Sequence, residues 1–398
     1  MNQFEILQNL HEQLIADSPE SQRSYILGIN NGSRYIKLSP IAYQLLQQRC
    51  LGASFEEIAK QINEQTGQYK STVEIEAAYQ HIIDKITQFE YNSSLKETGF
   101  LFRKTLLPKR LVCWLASFMS VAFYQPVGLF LIGVVATAIT ILLHQDLAVE
   151  LSPINLIIGF ILFIVSSLVH ELGHASACMR YGASPSEIGF TIYWIYPAFF
   201  TNVNSAWQLK RWQRVIVDIG GIFFQLVVCS LYIFIYLATS FSSLKVAIVM
   251  IIGSCLFSLN PIFKFDGYWI ISDALGVANL SQQPNKILRY SINRLLDRST
   301  QPLPWSQVVT FILRLYTILS IGFWSYFLLL FIPLLYQYIL HYPGLVLKFT
   351  QALTHPPYLP STETGISLLI STFIVIVGIL FIWRLVRQLP SLVKELFF

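Results

Sequence analysis

The pentapeptide His170-Glu171-Leu172-Gly173-His174 is the segment of this chain best equipped for chemistry. On a helix, two histidines four residues apart share one face, so both imidazoles can reach a single zinc ion. A glutamate between them can act as general base toward an attacking water. The pentapeptide alone is a modest signal, because it also arises by chance on solvated helices. Its surroundings add weight: it lies inside the apolar stretch 156–179, where ionisable side chains are expensive and mark function. Catalytic zinc usually takes three protein ligands and keeps one position open. The best third candidate is Asp266, in Leu259-Asn260-Pro261-Ile262-Phe263-Lys264-Phe265-Asp266-Gly267. Irregular backbone at membrane depth is tolerated where it lines a cavity or packs against protein. By itself, that segment reads equally well as an interfacial turn with a solvated aspartate.

Whatever positions these residues must be built largely in lipid. Of the 398 residues, 54% are hydrophobic and only 12% charged, about half the charged share of an ordinary globular domain. The apolar residues concentrate after residue 110. Six runs near the ~20 residues needed to span a bilayer fall at about 126–144, 154–179, 213–238, 243–262, 308–336 and 365–387. The apolar stretch 111–124 is shorter and reads as an interfacial helix ending before Pro126. With six spans, the clusters around Lys104–Arg110, Arg180–Arg214, Lys264–Arg298 and Arg384–Lys394 all fall on one side, as the positive-inside rule expects. Both termini are then cytoplasmic. The second and fourth spans run toward that side, and His170 stands ten residues before Arg180, roughly 15 Å along a helix. His170, His174 and Asp266 thus belong to the same leaflet.

Residues 1–95 differ. They hold 7 Lys+Arg against 11 Asp+Glu, a net charge of −4 in a chain that is +5 overall. No signal peptide opens the chain, since neither a basic start nor an apolar stretch is present. An amphipathic segment at 4–16 precedes a hairpin, with 25–29 and 35–38 flanking Asn30-Asn31-Gly32-Ser33. Ser39-Pro40 opens a helix over 41–50. Ser54-x-x-Glu57 is a capping box ahead of Ile58, Ala59 and Ile62. A third helix over 72–89 puts Val73, Ala77, Ile82, Ile83 and Ile86 on roughly one stripe. The expected architecture is mainly α: a polytopic membrane helix bundle of about six spans (126–398), a linker with an interfacial helix (96–125), and a small winged-helix-like α+β domain (1–95). The acidic charge of that domain argues against nucleic acid as a partner. Cys50, Cys113, Cys178, Cys229 and Cys255 lack CxxC spacing and read as small buried hydrophobes. Asn202, Asn204 and Gln225 read first as caps or interhelical hydrogen bonds, with the site cavity as the alternative. The last two spans contain only Arg314, Arg384 and the terminal Arg387 as charges, too few polar groups for a transporter.

An HExxH pentapeptide within a span, followed by Asn260-Pro261 and Asp266-Gly267, resembles the site-2 protease family of intramembrane zinc metalloproteases. The match covers roughly 126–280. It implies His170, His174 and Asp266 as zinc ligands, Glu171 as catalytic base, and Asn260 as a substrate-binding residue. The family spaces its motif Asn-x-x-Pro, whereas Asn260 directly precedes Pro261. The resemblance also implies a membrane-inserted hairpin or loop over 182–197, whose extended edge could hold a peptide by strand addition, although a packed re-entrant loop is the plainer expectation. The head is similar to the small peptide-recognition domain of ribosomal peptide natural-product pathways, of which the pyrroloquinoline-quinone pathway supplies an example. That likeness implies capture of a precursor's leader peptide, with a structural cap as the competing role. Together these resemblances point to a zinc endopeptidase in the plasma membrane that matures a peptide or membrane-associated precursor beside an export machinery. The alternative is a non-catalytic zinc-binding subunit of a peptide export complex.

Overall fold

A computed structural model describes residues 10–14, 23–29, 34–67, 69–95, 100–145, 148–149, 152–193, 196–277, 279–296, 303, 305–354 and 362–397. Among these residues the protein is mainly α, with twelve α-helices and two three-stranded sheets. The chain divides into two compact units, Met1–Gly276 and Val277–Phe398.

The first unit begins with strands β1 (Leu10–Leu14), β2 (Arg23–Ile29) and β3 (Arg34–Leu38), antiparallel in the order β1-β2-β3. The expected hairpin pairs Tyr25 with Leu38 and Ile29 with Arg34; its turn, 30–33, lies outside the described residues. Within the segment 4–16, the described part is the strand β1, which pairs Leu10 with Leu27. Three helices follow. α1 (Pro40–Cys50) is capped by the Ser39 hydroxyl, which accepts from the Ala42 N–H. α2 (Phe55–Thr66) opens on the capping box: the Ser54 N–H donates to the Glu57 carboxylate at 2.8 Å, and the Glu57 N–H donates to the Ser54 hydroxyl at 3.2 Å. Those two bonds satisfy donors that the first turn leaves without helical partners. In α3 (Thr72–Leu95) the buried stripe is Ile75, Tyr79 and Ile86, with Ile82 and Ile83 against it. Val73 and Ala77, expected on that stripe, are exposed. The larger Ile75 and Tyr79, which also repeat at four, fill the space over Leu27, Leu45 and Ile58 instead.

The segment 96–125 contributes β4 (Phe100–Leu107) and α4 (Lys109–Met119), the latter too short to span a bilayer. Four long apolar helices among the described residues suffice to cross a membrane: α5 (Gln125–Leu142), α6 (Pro153–Arg180), α7 (Arg211–Thr239) and, in the second unit, α11 (Gln307–Thr354). The other two expected spans fall on shorter apolar stretches, the 17-residue α8 (Ser242–Ser258) and residues Ser367–Trp383 of α12 (Thr362–Phe397). α11 also runs well past the expected end at 336, to Thr354, with Pro333 and Pro343 inside it. A proline inside an apolar helix can kink it without ending it.

Strands β5 (Ile188–Tyr193) and β6 (Tyr196–Thr201) form the hairpin after α6. β4 joins them, giving the sheet order β4-β5-β6. Around the site, α6, α7 and α8 pack without intervening side chains at two points. A Cβ on Gly159 would meet Val246 at 2.5 Å, and one on Gly173 would meet the carbonyl oxygen of Gly220 at 2.2 Å. Small residues permit such contact between apolar helices. Ile222, Cys229 and Ile233 of α7 then interlock with Leu244, Ile248 and Ile251 of α8. α9 (Asp266–Leu275) follows the turns at Pro261–Lys264. The second unit adds α10 (Gln283–Leu295) and the long pair α11 and α12, where Trp324 stacks on Phe381 and Phe331 meets it edge-on.

Candidate metal centre

His170 and His174 lie one turn apart on α6, both buried, and their rings face across 4.8 Å between centroids. Their Nε2 atoms are 3.1 Å apart. Asp266, the first residue of α9, brings Oδ2 to 3.1 Å from His170 Nε2 and Oδ1 to 3.4 Å from His174 Nε2. The three side chains are therefore grouped so that each offers one ligand atom to a shared point. A tetrahedral ion with bonds of ~2.0–2.1 Å places its ligand atoms about 3.3 Å apart; the two Nε2 atoms are near that spacing, and the carboxylate turns a different oxygen to each imidazole, all within 4.8 Å.

The far side of each ring determines what the near side can do. His174 Nδ1 is 2.7 Å from the carbonyl oxygen of Val217 on α7. A carbonyl only accepts, so Nδ1 carries a hydrogen, and in the neutral ring Nε2 presents a lone pair. His170 Nδ1 is 3.1 Å from Oε1 of Gln225, also on α7. Asp266 Oδ2 is buried and receives no hydrogen bond despite its nearness to His170 Nε2. Two imidazole lone pairs and a carboxylate turned toward one another repel unless a cation lies among them. Imidazole nitrogen with one carboxylate is a donor set that suits zinc. α7 leaves room for the ion because residue 221 is glycine. A Cβ there would stand 2.3 Å from His174 Nε2 and 2.5 Å from His170 Nε2.

The short helix α9 is fixed at both ends. At its start, a Cβ on Gly267 would collide with the Leu259 carbonyl oxygen at 2.1 Å, so only glycine lets α9 turn back so tightly. At its end, Arg211 donates to the carbonyls of Asp273 and Ala274, and Arg214 Nε donates to the Asp273 carboxylate at 2.8 Å. Both arginines belong to the first turn of α7, the helix that also carries Val217, Gly221 and Gln225. One helix thus orients both imidazoles and anchors the element bearing Asp266.

Glu171 is half-buried, one residue after His170. Its carbonyl accepts a hydrogen bond from the Thr201 hydroxyl at 3.2 Å, which ties the edge strand β6 to α6 at the motif. Asn260 is not among the groups that meet at the cluster. Its side-chain oxygen accepts from the Ile262 N–H at 2.9 Å, holding the turn that leads toward Asp266. The Asn202 side chain accepts from the Asn204 N–H, a local cap as expected. All five cysteines are free, with Cys178, Cys229 and Cys255 buried. Sequence reasoning left Gln225 with two readings, and the structure joins them: it makes an interhelical hydrogen bond, and the acceptor faces a site histidine. Gly221 went unremarked, and the two arginines counted only as members of a basic cluster. The glycine pair 220–221 inside an apolar span was the available signal.

Over 128 residues the chain is 30% identical to a curated protein of Bacillus subtilis (strain 168), provisionally described as the peptide zinc metalloprotease protein YydH. The match takes in 32% of this chain and 51% of that protein. The chain thus spans about half the length of this relative. No family model matches the chain, and no solved structure matches it. The likeness supports a metalloprotease role, with zinc as the metal it implies.

Proposed function

We propose that the protein is a membrane-embedded zinc metalloendopeptidase of the site-2 protease type, with His170, His174 and Asp266 as its metal ligands and Glu171 as its general base. The observation that carries this assignment is the convergence of two imidazole nitrogens and a carboxylate, 3.1–3.4 Å between neighbouring atoms, where α7 lacks a side chain. When bound, the ion supplies Lewis acidity toward the scissile carbonyl and acidifies a water. The protein's own part is proton transfer and alignment. Glu171 takes the proton of the attacking water and delivers it to the leaving amine. β6, an edge strand bound to the Glu171 carbonyl through Thr201, is placed to hold substrate main chain by strand addition. Asn260 commits its oxygen to its own turn, leaving its amide N–H groups for a substrate carbonyl.

The substrate is a peptide or membrane-associated precursor cut near the cytoplasmic leaflet of the plasma membrane, with both termini of the enzyme in the cytoplasm. Support comes from the clustering of Lys and Arg on one side of the apolar runs. The N-terminal sheet and helices receive the precursor's leader peptide and hand the chain to the site, and export machinery takes the product. Glu171→Gln tests the chemistry. The variant should bind zinc at the parent stoichiometry and cleave no precursor encoded beside its gene. Full hydrolysis by that variant would end the mechanism. Stoichiometric zinc in a parent chain that hydrolyses none of those precursors would favour a non-catalytic subunit.

A further inference from the structure

Gln225 is 1% exposed in the middle of a membrane-crossing helix, an expensive place for an amide unless all its groups are matched. Its hydrogen bonds run in one direction. The Ser166 hydroxyl donates to the Phe163 carbonyl at 2.7 Å, so its hydrogen is spent and its oxygen accepts. The Gln225 amide nitrogen, 3.4 Å away, donates to that oxygen. The amide oxygen must therefore be the atom that faces His170 Nδ1 at 3.1 Å, and the Cys255 thiol, 3.5 Å away, donates to the same oxygen. An amide oxygen cannot donate. His170 Nδ1 consequently carries a hydrogen, and the neutral ring turns its Nε2 lone pair toward Asp266.

We infer that Gln225 is a positioning residue for the metal centre: the relay Phe163–Ser166–Gln225–His170 fixes the ring and tautomer of His170, as the Val217 carbonyl does for His174. This inference rests on the zinc assignment above. It adds that the His170 side of the site is held by a side chain that can be removed, while the His174 side is held by main chain. Partners that orient metal-bound histidines change metal affinity by about 10–100-fold when lost.

The test measures zinc affinity of the full chain in detergent by competition with a chromophoric chelator, beside the melting temperature of the metal-free chain. Gln225→Leu should weaken zinc binding by about 10–100-fold while the metal-free chain melts close to the parent. Gln225→Glu, which keeps an acceptor toward Nδ1, should restore the affinity. Ser166→Ala, which touches neither ring, should give a smaller loss because the amide is then free to turn over; it serves equally if Gln225→Leu does not fold. Parent affinity in both Gln225→Leu and Ser166→Ala would overturn the inference while leaving the zinc site standing, as would equal losses in Gln225→Leu and Gln225→Glu. A parent chain that binds no zinc, or binds it undiminished in His170→Ala, would instead overturn the metal assignment itself.

Discussion

Adding one methyl group at Gly221 separates what the fold needs from what the metal needs. Glycine inside a helix is normally a liability of about 1 kcal/mol relative to alanine, so Gly221→Ala should stabilise α7 if nothing else changed. The new Cβ would stand 2.3 Å from His174 Nε2 and 2.5 Å from His170 Nε2, and ordinary contact begins near 3.4 Å. The atoms in its way are the tips of two side chains, which can swing aside; the backbone need not move. Each ring then shifts by about 1 Å, and zinc sites tolerate about 0.2 Å in ligand distance. The same swing stretches the 2.7 Å and 3.1 Å bonds from the two Nδ1 atoms, each worth about 1 kcal/mol. Set against the helix gain, the net change in metal-free stability is about 1 kcal/mol. Zinc affinity, by contrast, should fall by more than ~100-fold, beyond what losing a single orienting partner does. Zinc content after equilibrium dialysis and the melting curve of the metal-free chain read the two quantities separately. A Gly221→Ala chain holding one zinc at parent affinity would refute the reasoning, because the nitrogens beside residue 221 could not then be the ligands.

Gly173→Ala, one helix away, should behave in the opposite sense. Its Cβ would meet the Gly220 carbonyl oxygen at 2.2 Å, a backbone atom that cannot swing aside, so α6 and α7 must part at a cost of about 1–3 kcal/mol, read as a lower unfolding midpoint with or without zinc. In the N-terminal unit, Ser54→Ala should cost the α2 cap about 1 kcal/mol and speed hydrogen exchange over residues 55–66 of the full chain, while exchange in α6 stays unchanged. The Ser54 backbone N–H and hydroxyl hold the Glu57 carboxyl below its ordinary value of 4.5. Protection of α2 should therefore be complete above about pH 4.5 and decline as pH falls through the lower folded value. Ser54→Ala should shrink that decline only in part, because the Ser54 N–H remains, whereas Glu57→Gln should abolish it, and a decline unchanged in Glu57→Gln would assign it to another group.

Patterns that repeat were legible; contacts between distant segments were not. The capping box, the proline-opened helix and the hairpin register follow from local chemistry, and each is where the sequence puts it. Residues 170 and 174 share a face through helix geometry alone. Asp266 was nameable because the topology puts it on the same leaflet as the histidines, although a solvated turn read equally well from its own segment, and only the packing of α9 brings it to 3.1 Å from His170. β4 escaped notice because its partner β5 lies about 80 residues downstream, and Phe100-Leu-Phe-Arg-Lys-Thr-Leu-Leu107 shows no strict alternation. In α3 the expected stripe was right at Ile82, Ile83 and Ile86 and out of phase at Val73 and Ala77, since Val73 and Ile75 both start plausible stripes and only Leu27 and Leu45 decide between them.

The crossing of α6 and α7 explains why the centre lies where it does. Gly173 is itself the fourth residue of the motif, between Leu172 and His174, and its partner Gly220 is the neighbour of Gly221. The glycine pair that brings the helices together therefore also places an unobstructed stretch of α7 opposite the two Nε2 atoms. The same approach carries the Val217 carbonyl, one turn before Gly221, to His174 Nδ1, and Gln225, one turn after it, to His170 Nδ1. Residues 217, 221 and 225 repeat at four along one face of α7, matching the spacing of four between the histidines. The helix spacing that lets two imidazoles share one ion is thus repeated in the helix that holds them. A shift of α7 by a single residue would take the carbonyl, the gap and the amide away together. The glycine contact sets the register of the metal centre as well as the packing of the bundle.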